Sequence, residues 1–285
     1  MDIATRPWRS VLYIPGARER ALEKARALPV DAIIFDLEDA VAPGEKVAAR
    51  DTLARALAEG GYGRRARLVR INGLDTEWGP DDATAAAAME CDAVLVPKVE
   101  SPAMLDAVAA RAPGRRLWAM IETPGGVLDA AAIAAHPLLE GFVLGTNDLA
   151  KDVNARFRHD RLPMMAALQM TLLAARAAGK VCIDGVYNAF KDEEGLRAEC
   201  EQGRDLGMDG KSLIHPAQVA VANAVFGPSA EELDLARRQI EAFDAAIATG
   251  QGVAVLDGRI VENLHVATAR AVLGKARAIA ELEGT

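Results

Sequence analysis

Residues 117–150, LWAMIETPGGVLDAAAIAAHPLLEGFVLGTNDLA, read as strand, turn, helix and strand. Leu117 to Ile121 and Phe142 to Leu144 are short runs of β-formers, and each leads into a turn rich in Gly or Asx. Each turn carries one acid, Glu122 after the first strand and Asp148 after the second. The 26 residues from 122 to 148 leave room for one crossover helix, expected near HPLLE (136–140), which two parallel neighbours require. Both acids then lie on the carboxyl-end rim of a parallel sheet, on strands about 4.8 Å apart. Two carboxylates so placed can share one hard cation, and Mg²⁺ takes one or two protein carboxylates while leaving its other positions to water and substrate. The same residues also suit a plainer reading, with one acid capping a helix and the other in a salt bridge.

Outward from this unit the alternation continues. Strand patterns fall at Val11–Ile14, Ala32–Leu37, Leu68–Ile71, Ala93–Val96, Leu117–Ile121, Phe142–Leu144, Val181–Ile183 and Ser212–Ile214. Between them lie helical stretches such as RERALEKARAL, EKVAARDTLARALAEG, SPAMLDAVAARA and EEGLRAECEQGRDLG. Eight strands each followed by a helix predict an α/β fold, a (β/α)₈ TIM barrel with its site at the carboxyl ends of the strands. An open doubly wound sheet competes, but no GxGxxG follows the first strand. The expected domains are a barrel over 1–228 and a helical carboxyl-terminal extension over 229–285, broken by the turn GQGVAVLDGRIVEN and serving as a lid or oligomer arm.

Composition narrows the partners. A chain of 285 residues with 51% hydrophobic content can bury a large core. Aromatics are only 4% and the net charge is −8 with dispersed basic residues, which argues against nucleic acid. No apolar run reaches membrane-spanning length, and MDIATRPWRS leads straight into a strand, so neither membrane nor signal peptide is expected and a cytoplasmic location is. Cys91, Cys182 and Cys200 lack metal-ligand spacing and read as reduced, packed thiols.

The other strand ends add candidates. Arg18 and Arg20 in PGARER can meet a phosphate, although an Arg at a helix start is more often simply solvated. Asp36, Glu38 and Asp39 crowd the end of the second strand with Lys46 nearby, and such packing is unfavourable unless cations answer it. Arg70 lies within an apolar strand and needs an anion: either a substrate carboxylate gripped by its planar fork or an ion pair with Asp36 or Glu38. Lys98 in VPK joins the same rim.

RSVLYIPGARER, IIFDLEDAVAPGEKVAAR, VRINGLDTEWG, VLVPKVES, IETPGG, LGTNDLAKD and KSLIHPAQV together resemble the citrate lyase β-subunit family, which includes malyl-CoA and citramalyl-CoA lyases. The resemblance spans essentially the whole chain. It implies a TIM barrel with an extension, Mg²⁺ (or Mn²⁺ in its place) on Glu122 and Asp148, Arg70 on the carboxylate of a keto or hydroxy acid, and CoA as part of a thioester substrate. Substrate contacts then fall to Arg70, Glu122 and Asp148, CoA to Arg18 and Lys24, and catalysis to Arg70, Glu38 and Glu262. It further implies a homo-oligomer, trimer or hexamer, in which one subunit's extension completes its neighbour's site.

One departure bears on the reaction. Many lyases of this family carry an Asp in the extension, in a motif like DG-x-M-[IV]-D, whereas this chain reads DGRIVENLHV, with Glu262 at that place. A displacement of about 1 Å in a catalytic group changes rate by roughly a hundredfold. With GVYNAFKDEEGLRAECEQGRDLG, this stretch is most similar to the branch that hydrolyses malyl-CoA to malate and CoA. Retro-Claisen cleavage to an oxoacid and an acyl-CoA is the alternative, and a non-catalytic CoA-ester-binding protein, or a subunit working on an acyl-carrier protein, stands behind it. From local pattern alone Glu262 is a solvated helix-start residue. His215, His136 and His159 read as loop or helix-start groups, Asn147 as a residue orienting Asp148, and Gly125, Gly126 and Gly145 as points where an anionic substrate nears the backbone.

Overall fold

The structure, a computed structural model, describes Ile3 and residues 6–284. Met1, Asp2, Ala4, Thr5 and Thr285, at the outer ends of the two expected domain ranges and of the expected leaderless amino terminus, lie outside the described residues. Among the described residues, parallel strands close a barrel in chain order: β1 (Ser10–Pro15), β2 (Ala32–Asp36), β3 (Ala66–Arg70), β4 (Ala93–Val96), β5 (Arg116–Ile121), β6 (Leu139–Leu144), β7 (Val181–Asp184) and β8 (Gly210–Leu213). β8 pairs back onto β1 from Ser10↔Lys211 to Leu12↔Leu213. The helices that follow the strands are α1 (Glu19–Ala25), α2 (Lys46–Glu59), α3 (Gly79–Ala88), α4 (Pro102–Arg111), α5 (Pro124–Leu128), α6 (Ala130–Ala134), α7 (Thr146–Asp152), α8 (Met165–Ala177), α9 (Glu193–Leu206) and α10 (Val219–Phe226). The expected (β/α)₈ barrel is therefore the fold.

Strand alternation sorts the side chains. Leu12, Ile33, Phe35, Val69, Val94, Ala119 and Phe142 pack in one buried cluster with helix residues such as Leu22, Leu53 and Leu105. Val11, Ile34, Leu68, Leu95, Trp118 and Val143, one position out of step, are equally buried and point into the barrel. Burial on both faces explains why these strands read as continuous apolar runs.

The crossover from β5 to β6 differs from expectation. Two short helices, α5 and α6, make it, and HPLLE supplies the turn and the start of β6. Pro137 has no N–H to continue a helix, and His136 Nδ1 accepts from Leu138 N at 3.2 Å, fixing the turn.

The chain divides into two compact units, Trp8–Phe226 and a second one of Gly227–Thr285 with Met1–Pro7. The second contains α11 (Ala230–Ala248), β9 (Ala254–Leu256), β10 (Arg259–Val261) and α12 (Asn263–Glu283). Ser229 and Glu232 form a capping box that starts α11. The stretch read as a plain turn is an antiparallel hairpin, with Ala254 paired to Val261. Asp257 and Gly258 both have positive φ, 49° and 74°, as a two-residue hairpin turn requires. Ala246, Ala254, Val261 and Val266 form its core. Among the described residues no helix is long and apolar enough to cross a membrane.

Candidate active site

The inward parity of the strands carries polar groups to the carboxyl-end layer. Tyr13, Asp36, Arg70, Met120, Glu122 and Asp148 line a cavity of about 310 Å³ there. Asp36 and Arg70 are direct partners across β2 and β3, so their side chains leave the sheet on the same side. Arg70 Nε lies 2.7 Å from Asp36 Oδ1 and Nη2 lies 2.6 Å from Oδ2. The fork is thus occupied by Asp36. The guanidinium also stacks on Tyr13, 4.9 Å from the ring centre. Burial pulls its pKa down, but the charge and hydrogen bonds of Asp36 prevail and hold it well above the usual value. Only Nη1 is turned elsewhere, 2.7 Å from Glu38 Oε2 and 3.6 Å from Met120 Sδ.

The loop after β2 is shaped by buried cations and amides. Asp36 accepts from the N–H groups of Glu38 and Ala40. Lys46 donates to the carbonyls of Leu37 and Glu38 and to Asn72 Oδ1, at 2.7–3.1 Å. Glu38 Oε2 is close to Arg70 but meets no aligned N–H, so it is a buried oxygen without a hydrogen bond. Burial raises the Glu38 carboxyl to about 7, against the pull of Arg70 and with the push of Asp39 and Asp36.

Glu122 is 2% exposed, and its carboxyl is likewise raised to about 7, chiefly by burial and then by Glu38. Its Oε1 accepts from the main-chain N–H of Lys98 at 2.8 Å. Among the described residues no donor reaches its Oε2 and no hydrogen bond or ion pair holds Asp148. Gly145 makes room for this arrangement: a Cβ there would stand 2.3 Å from Glu122 Oε2. The glycine thus accommodates a side chain and also lines the cavity. Gly126 is similar, since its Cβ would meet the Val99 carbonyl at 2.4 Å. Two hard carboxylates facing one cavity, one of them buried with an open oxygen, fit a divalent cation bound by a pair of protein groups. Among the described residues no group of three or more acidic, His or Cys side chains forms a fuller metal cage.

Arg70, Glu38, Glu122 and Asp148 therefore converge. Arg18 does not join them: its side chain is 65% exposed, 3.9 Å from Glu45. Lys24 is exposed on α1. Glu262 belongs to the second unit, where it is the exposed N-cap residue of α12 and its N–H donates to His265 Nδ1. His215 caps the turn after β8, accepting from Ala217 N at 3.1 Å. Asn147 exchanges amide hydrogen bonds with Asn188, tying the loops after β6 and β7 rather than orienting Asp148. Sequence reasoning passed over Tyr13 and Met120. Their parity with Arg70's contacts was the available signal, masked because both look like ordinary strand residues.

Residues 9–216 match the profile of the family described as HpcH/HpaI aldolase/citrate lyase. A (3S)-malyl-CoA thioesterase from Cereibacter sphaeroides is 64% identical over 274 residues, covering 96% of each chain. An L-malyl-CoA/beta-methylmalyl-CoA lyase from the same species is 36% identical, again covering 96% of each. Among solved structures, CitE from Mycobacterium tuberculosis in complex with magnesium, acetoacetate and coenzyme A superposes with a TM-score of 0.81 at 30% identity, covering 96% of this chain and 99% of that one.

Proposed function

The chain belongs to the HpcH/HpaI aldolase/citrate lyase family, and on that premise we propose that it is a Mg²⁺-dependent (3S)-malyl-CoA thioesterase giving malate and CoA. The observation that carries this reading is the 64% identity over 96% of both chains to such a thioesterase. The pocket supports it: acids in excess ask for a cation, and the arm of Arg70 that Asp36 does not hold, paired here with Glu38, suits a carboxylate.

Glu122 and Asp148 would hold Mg²⁺, which when bound supplies a Lewis acid to the hydroxyl and carboxylate oxygens of the malyl group. Arg70 offers Nη1 to that carboxylate while Asp36 and Tyr13 hold the guanidinium still. Glu38 yields this arm as the substrate enters. Glu262 takes a proton from water as the water oxygen adds to the thioester carbonyl carbon. The C–S bond then breaks, and the proton passes to the departing thiolate. Direct attack by Glu262 through an anhydride ends at the same products, and transfer of ¹⁸O from water into Glu262 in a single turnover distinguishes it.

We assign Glu262 to the pocket of a neighbouring copy in a homotrimer or homohexamer. The support is its setting: Val255, Ile260 and Leu264 beside it are 70%, 61% and 61% exposed, an apolar face of the kind that assemblies cover. Arg18 and Lys24 are assigned to the phosphates of CoA. The buried free cysteines suit a cytoplasmic enzyme.

The deciding experiment is mass-spectrometric product analysis with (3S)-malyl-CoA and Mg²⁺. Malate with free CoA is the expected outcome. Glyoxylate with acetyl-CoA as the main products would make the protein a lyase, and no turnover would leave it a binding protein.

A further inference from the structure

Lys98 combines three features, of which the site described above uses only the main-chain N–H on Glu122. Its backbone is left-handed, with φ of 49°, a conformation disfavoured for any residue with a Cβ. The turn is pinned from both sides: Val99 N donates to the Met120 carbonyl at 3.2 Å, and Gly126 approaches so closely that a Cβ there would stand 2.4 Å from the Val99 carbonyl. This geometry aims the Lys98 amide at Glu122 Oε1, 2.8 Å away, which leaves Oε2 for the cavity. The side chain is exposed, and among the described residues no carboxylate lies within 4 Å of its ammonium. Nevertheless it sits in the field of Asp148, Glu38, Glu122 and Asp39, in that order of strength. Arg70, the other cation of this cluster, is already neutralised by Asp36.

We propose that Lys98 is a positioning residue with two separable functions: its left-handed main chain orients Glu122, and its free ammonium tunes how tightly the Glu122–Asp148 pair binds a divalent cation. The inference rests on reading that pair as the cation site. Without a cation the ammonium offsets the mutual repulsion of the acids. With one bound it repels it, so the charge sets an upper limit on affinity. A unit charge several ångströms from a divalent ion in a watery mouth changes binding by about three- to tenfold, less at high salt.

The test is Mn²⁺ binding to the purified full-length protein, followed by electron paramagnetic resonance at low and high ionic strength. Lys98→Ala removes the charge and is expected to bind Mn²⁺ about three- to tenfold more tightly than the unmodified protein at low salt, with the gap closing as salt rises. Lys98→Arg is expected to restore the original affinity. Lys98→Val removes the charge but resists positive φ, and it should lose the gain and bind more weakly than the unmodified protein. If Lys98→Val does not fold, amide exchange carries the same point: the Lys98 N–H should be protected in the unmodified protein and lose protection in Glu122→Ala. Unchanged or weaker binding by Lys98→Ala would overturn the charge function, and an unprotected Lys98 amide, or Lys98→Val binding as tightly as Lys98→Ala, would overturn the main-chain function. Loss of Mn²⁺ binding in Glu122→Gln and Asp148→Asn verifies the pair independently. If those variants bind normally, the reading of the cation site fails, whatever the Lys98 variants do.

Discussion

Asp36 grips Arg70 at two points, with Nε 2.7 Å from Oδ1 and Nη2 2.6 Å from Oδ2, and both side chains are buried. The fork that could have held a substrate carboxylate is satisfied within the protein, and on the function proposed above recognition falls to Nη1. A guanidinium already oriented in this way loses less on binding than a free one.

Arg70→Lys should therefore lower kcat/KM by about a hundredfold, because an ammonium cannot hold Asp36 at two points and face the pocket as well. Asp36→Asn should cause a loss of similar size without touching substrate, and should also destabilise the fold, because one of the two oxygens that grip the buried Arg70 becomes an amide NH₂ and the charge keeps only Glu38 and Asp39 beside it. Thiol release and thermal unfolding measure the two effects. Normal kinetics in Asp36→Asn would show that the grip is irrelevant to turnover.

Glu122→Ala and Asp148→Ala are expected to abolish Mg²⁺-dependent turnover while the barrel still folds, since both lie on the cavity wall. Gly145→Ala should reproduce the defect at one remove, because its Cβ would collide with Glu122 Oε2. Full activity in EDTA would exclude a metal requirement.

Glu262→Gln should lose most thioesterase activity yet still bind Mg²⁺ and substrate, as the amide keeps its size but accepts no proton. Mixing it with Arg70→Ala under verified subunit exchange should recover part of the activity, from sites that combine one intact Arg70 with one intact Glu262. Exchange without recovery would argue against a shared site.

A second buried charge cluster bears on the pH dependence of stability. Lys211 Nζ donates to Asp184 at 3.0 Å and to Glu199 at 2.7 Å, and Arg161 Nη1 donates to Asp184 at 2.7 Å. Burial pushes the Asp184 carboxyl up, but Lys211 and then Arg161 outweigh it and hold it below its ordinary 3.8. The unfolded chain therefore binds this proton first. The stabilisation is complete above about pH 3.8 and is lost as pH falls through the lower folded value. Asp184→Asn should move the acid-unfolding midpoint, followed by circular dichroism, to higher pH and lower the melting temperature at neutral pH. An unmoved midpoint would show that the cluster does not control acid unfolding.

The barrel could be read from the chain because its signals are local. Eight apolar runs at regular spacing, with helical patterns between them, suffice when each strand is buried on both faces. The placing of Glu122 and Asp148 at the carboxyl-end rim was legible for the same reason, since Glu122 directly follows β5 and Asp148 sits in the first turn of the helix after β6. The hairpin at 254–261 is also encoded, in Asp257-Gly258 between apolar residues, although helical patterns on both sides make the stretch look like a plain turn. The crossover helix was placed too late because HPLLE looks helical in composition while Pro137 ends the pattern.

What the sequence left open was which partner each charge takes, and only closure of the sheet decided it. Arg70 had two candidate anions, and register across β2 and β3 gave it Asp36, 34 positions away. Lys98 reads in the sequence as one more rim cation, whereas the fold brings its amide onto Glu122, 24 positions on. Gly145 lines the cavity, and the fold also sets it against Glu122, whose Oε2 a Cβ there would meet. Alternation fixes which way a side chain points, since it depends only on neighbours in the chain. The partner it meets depends on which strand lies alongside, and the energy of a buried charge is set by that meeting.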